Sequence, residues 1–71
     1  MTNQQINDIF TYHKPSITQV GRYTELREHA RLMALAIQEM CPESREKALA
    51  LTNLQQTIMW ANASIAINEA E

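Results

Sequence analysis

Near the start of the chain, Phe10, Tyr12, His13 and Lys14 place three rings and a cation within five residues. Aromatic faces stack on flat heterocyclic bases and an adjacent ammonium meets phosphate, so this cluster is the minimal kit for holding a nucleotide. The same rings would also serve as a staple that fixes the arm to a neighbouring chain, and composition by itself favours the staple. Arg22, Arg27 and Arg31 follow with Glu25 and Glu28 interspersed. Arg27 with Arg31, and Glu28 with Arg31, stand at helical neighbour spacing, the ordinary pattern of a solvated face with intrahelical pairs.

Catalytic chemistry finds no foothold. With two His, one Cys and no Gly-rich phosphate loop, neither a nucleophile–base set nor a carboxylate pair is specified by spacing. His13 and His29 are 16 residues apart with nothing at ligand spacing to complete a metal site, so no metal and no cofactor are expected. His29 reads as a partly exposed helical residue, and Cys41, beside Pro42, as a buried structural thiol.

Two long helices must position these residues. The arm, residues 1–15, ends at Lys14-Pro15, where the proline biases Lys14 towards an extended conformation; a helical turn over Gln5 to Phe10 is compatible with the sequence. Ser16 or Thr18 then caps a helix of about 17–40. At 100° per residue Tyr23, Leu26, Ala30, Met33, Ala34 and Ile37 share one face. Cys41-Pro42-Glu43 breaks the helix, and Ser44 caps a second one of about 45–68, with Glu46 near its positive end. On this helix Leu51, Leu54, Ile58, Ala61 and Ile65 form one stripe. Leu49, Trp60 and Ile67 form another roughly opposite, which places Trp60 in core or interface. Asn62, near the first stripe, is a buried polar residue in need of a partner. So short a connection makes the pair an antiparallel hairpin, and residues 16–71 form one hairpin domain.

A helix with two apolar faces needs two partners, and the second must come from another subunit. Seventy-one residues are close to the lower limit for a single core, and one cysteine excludes an internal disulfide. The expected fold is therefore all-α: a helical hairpin with an N-terminal arm, assembled into a symmetric oligomer. From Ala48 to Asn68 there are 21 residues without a charge, a Gly or a Pro, but amides and hydroxyls recur through them, against a membrane span. All six Lys and Arg lie between Lys14 and Lys47, and the net charge of −2 argues against a general DNA or RNA binder. The polar N-terminus lacks the pattern of a secretory signal and the lone thiol fits a reducing cytosol.

The stretches Phe10-Thr11-Tyr12-His13, Ser44-Arg45-Glu46-Lys47, Leu49-Ala50-Leu51-Thr52 and Met59-Trp60-Ala61-Asn62 occur in this order around a long first helix. Over roughly residues 10–68 the chain resembles the small phage-encoded sponge proteins of the anti-CBASS type, whose hairpin domain is shared with a class of Thoeris anti-defence sponges. The resemblance implies a hexamer of hairpins in the cytoplasm of the infected bacterial host, sequestering cyclic oligonucleotide messengers without hydrolysing them. It implies cyclic dinucleotide pockets between subunits in which Tyr12 stacks on a base and Arg27, where better-known members carry a Lys, meets phosphate. His13, Lys14 and Arg31 are the neighbouring candidates. Cyclic trinucleotides, bound by some members through an Arg late in the second helix, find no cation after Lys47 here, leaving Arg45 of another subunit as the candidate for that role. The alternative is a structural or adaptor oligomer without a nucleotide ligand.

Overall fold

Each helix begins at a hydroxyl residue whose oxygen accepts a backbone N–H three residues on. Thr2 Oγ1 accepts from Gln5 at 3.1 Å, Ser16 Oγ from Gln19 at 3.2 Å and Ser44 Oγ from Lys47 at 3.1 Å. At the first two starts the glutamine side chain returns the bond to the cap's own N–H, completing a capping box. The computed structural model describes residues 1–69, so residues 70–71 of the expected hairpin domain lie outside the described residues. The elements are α1 (Asn3–Ile9), α2 (Ile17–Met40) and α3 (Arg45–Asn68), with no strand among the described residues. The helical hairpin inferred from the two stripes is present. The arm is more ordered than its composition suggests, because the Thr2 capping box starts α1 ahead of Gln5.

At the hairpin's tip a short connection reverses the chain, and Lys47 holds it closed. Its ammonium donates to the Gln38 carbonyl at 2.9 Å and to Glu43 Oε1 at 2.7 Å, and its residue is only 6% exposed. The Gln38 carbonyl is one of the last-turn acceptors of α2 that lack an intrahelical donor, so a cation there is favoured by hydrogen bonding and by the helix dipole. At the open end Arg22 of α2 grips Glu69 just beyond α3. Bonds at both ends fix α2 and α3 antiparallel.

Between these ends α2 packs on α3, and Tyr23, Leu26, Ala30, Ala34 and Ile37 of α2 and Leu51, Leu54, Ile58, Ala61 and Ile65 of α3 are all half-buried. Met33 was expected in the stripe but is 54% exposed, since a two-helix seam is narrower than the stripe and leaves its margin uncovered. Cys41, expected to be buried, is exposed, because it closes α2 where the backbone leaves the seam. Trp60 is 77% exposed and belongs to no core within one chain. No hydrophobic residue among those described is fully buried, and the molecule is a flat slab of 44 × 29 × 12 Å.

Candidate functional site

The arm folds back on the end of α1. The Thr11 hydroxyl donates to the Asn7 carbonyl, and His13 Nε2 lies 2.7 Å from the Asp8 carbonyl oxygen, an acceptor that requires the ring to donate. These bonds leave Tyr12 83% exposed with Lys14 exposed beside it. Between the arm and the open end of the hairpin lies a cleft of about 750 Å³, lined by Tyr12, His13 and Lys14, by Gln19 of α2, and by Ile67 and Glu69 from the other side. Arg22 holds Glu69 with two hydrogen bonds, one of them 2.8 Å from Nη1 to Oε2, and Gln19 Nε2 adds a third at 3.4 Å. The guanidinium and then the amide keep the Glu69 carboxyl at about 2, well below its usual range. Arg22 is thus engaged in closing the hairpin, and Lys14 is the cation the cleft can offer a ligand.

A second depression, a groove of about 470 Å³, runs along the α2/α3 seam. Its walls are apolar, with Leu51, Leu54, Ile58 and Met59 on one side, and Arg27 and Arg31 stand along the other. The two arginines differ in engagement. Arg31 donates to Glu28 at 3.0 Å from Nε and 2.6 Å from Nη2, which lowers the Glu28 carboxyl below its ordinary value and raises Arg31. Arg27 makes no ion pair or side-chain hydrogen bond among the described residues. Asn62 lines the same groove, and its Oδ1 is buried with no hydrogen-bond partner among the described residues.

The six candidate residues therefore fall into three places. Tyr12, His13 and Lys14 share the open-end cleft, Arg27 and Arg31 share the groove, and Arg45 is the exposed first residue of α3 at the tip. Eleven residues of helix, about 16 Å, separate Ser16 from Arg27, and fourteen more, about 21 Å, separate Arg27 from Cys41. Within one chain Tyr12 and Arg27 line different depressions. Gln19, not among the candidates from sequence, also belongs to the cleft; the capping-box spacing Ser16-Ile17-Thr18-Gln19 is the signal that places it at the start of α2. Among the described residues no three His, Cys, Asp or Glu side chains gather as metal ligands.

The Acb2/Tad1 hairpin domain matches residues 2–66. The chain belongs to this family. It is the family of anti-CBASS and Thoeris anti-defence sponges, proteins that act by binding rather than by turnover, and the match takes in α1 and the arm as well as the hairpin. Comparison with curated proteins and with solved structures returned no match. No helix of the described residues is long and apolar enough to cross a membrane.

Proposed function

We propose that this protein is a phage sponge that captures cyclic dinucleotides, such as 3′,3′-cyclic GMP-AMP, in the cytoplasm of the infected bacterium and so prevents activation of the CBASS effector. The observation that carries the reading is the division of labour within one chain. An exposed Tyr12 with Lys14 lines one depression and Arg27, without an ion pair among the described residues, lines another, and two copies related by a two-fold axis supply both twice. A cyclic dinucleotide has two bases and two phosphates and matches that doubling. Tyr12 stacks on a base, and Arg27 brings a planar donor fork to phosphate, with Lys14, His13 and Arg31 around it.

The proposed assembly is a hexamer made from such pairs. In it Arg45, distant from the dinucleotide site within its own chain, is the residue left for a cyclic trinucleotide. Absence of a cation between Lys47 and Asn68 makes that second ligand class the weaker fit. The exposed apolar arm also supports a rival reading, an adaptor in which Tyr12 only clips chains together.

Capture and hydrolysis are separated by what comes back. After incubation with cyclic nucleotide and heat denaturation of the protein, the ligand is expected intact by liquid chromatography. Recovery of linear dinucleotide or mononucleotide would contradict a sponge.

A further inference from the structure

The hydrogen-bond ladder of α1 ends where Phe10 donates its N–H to the Ile6 carbonyl at 3.1 Å. In a longer helix the N–H groups of Thr11 and Tyr12 would take the next two carbonyls, those of Asn7 and Asp8. Side chains take them instead: the Thr11 hydroxyl donates to Asn7, and His13 Nε2 donates to Asp8 at 2.7 Å. Such local bonds compete with the backbone ladder, so the helix stops before Tyr12. Of residues 1–18 only Asp8 and His13 are half-buried, and every other one is exposed. On the far side Pro15 has a fixed φ and biases Lys14 towards an extended backbone. The freedom left to the arm lies between Phe10 and Lys14, and the two side-chain bonds bracket Tyr12 within it.

We propose, resting on the nucleotide-binding reading above, that His13 is a positioning residue. Its bond to the Asp8 carbonyl holds the arm in the turn that presents Tyr12 and Lys14 to a nucleotide, and the ring itself does not touch the ligand. A carbonyl offers no proton, so Nε2 carries one and is committed to Asp8. An unlatched arm would have to order its backbone when a ligand arrives, and that lost entropy would be subtracted from binding. The latch sets the turn beforehand, with Tyr12 83% exposed and its neighbours Thr11 and His13 both tied to α1. His13 thus acts on the ligand through Tyr12.

Two substitutions test the latch. Gln places its carboxamide nitrogen as many bonds from Cα as Nε2 of His, whereas the Asn nitrogen is one bond short. In calorimetric titration His13→Gln should keep the affinity for 3′,3′-cyclic GMP-AMP within about twofold, and His13→Asn should weaken it about three- to tenfold, the range of one net hydrogen bond. Equal losses in the two variants would overturn the latch. A double-mutant cycle with Tyr12→Ala separates positioning from contact: in that background His13→Asn should cost less than about twofold. A loss as large as in the parent would overturn the proposal, because His13 would then act on the ligand directly. Without ligand, the ¹⁵N heteronuclear Overhauser effect of residues 11–14 should fall in His13→Asn and hold in His13→Gln. That pattern in a protein that binds no cyclic nucleotide keeps the latch and removes the sponge reading. Nucleotide binding with the Overhauser effect unchanged in His13→Asn does the reverse.

Discussion

Arg27 and Arg31 sit one turn apart on α2 and differ in engagement. Arg31 is held by Glu28, while Arg27 has no partner among the described residues. Arg27→Ala should therefore weaken cyclic dinucleotide binding by about 1.5–3 kcal/mol, as for the loss of a hydrogen bond to a charged group, and Arg31→Ala by less. Calorimetric titration of both variants checks the order, with light scattering to confirm an unchanged mass. Glu69 makes a prediction about acid. Its carboxyl is held at about 2 in the folded chain against an ordinary 4.5, so the unfolded chain binds more protons between these values. The stabilisation is fully present above about 4.5 and is lost as pH falls towards 2. Melting temperature should drop less over that window in Glu69→Gln than in the parent, and the difference should shrink in high salt, since the pair is solvent-exposed. Asn62 was legible from sequence as a polar residue facing the seam, because it lies beside the Leu51/Ile58 stripe; the residue is half-buried, with its Oδ1 turned inward. Cys41 was misplaced for the converse reason: residue type predicts burial on average, but it lies where two helices alone cannot cover it.

At the scale of elements, Ser16 and Ser44 marked the starts of α2 and α3, and the Leu51-to-Ile65 stripe marked the seam. The length of α1 went unread, although Thr2-Asn3-Gln4-Gln5 carries the same capping-box spacing as Ser16-Ile17-Thr18-Gln19. The Lys47 staple gave no periodic signal, since it depends on a carbonyl nine residues earlier across the connection. Gly21 is the weak point of α2. It has no positive φ, and a Cβ built there meets nothing within 4 Å. Gly21→Ala should stabilise the protein by about 1 kcal/mol in chemical denaturation, the usual helix-interior difference. A loss of stability would instead place another chain's backbone against that position.

The whole molecule is larger in surface than its mass requires. It exposes 5965 Å², where a folded monomer of 8.1 kDa exposes about 4,500 Å². Its radius of gyration is 15.3 Å, where a compact chain of this length has about 11 Å. The excess area of about 1,500 Å² is roughly twice what one partner contributes to a standard protein interface. The proposed association of several chains, with the second stripe of α3 as one contact, would account for both numbers. Trp60→Ala should accordingly leave the helical circular-dichroism signal of the hairpin in place while shifting the light-scattering mass to smaller species. An unchanged mass would assign Trp60 to solvent. Which residues meet across chains was beyond the reach of one sequence, because the periodicity identifies an apolar face but not its partner.

The central claim is a tight ligand site shared by two chains. Titration of the purified protein with 3′,3′-cyclic GMP-AMP, with the linear dinucleotide as control, tests it most directly. Nanomolar binding, about −12 kcal/mol, saturating near one cyclic ligand per two chains with the linear control weak, is the predicted result. Absence of binding by an intact oligomer, or saturation at one ligand per chain, would contradict it.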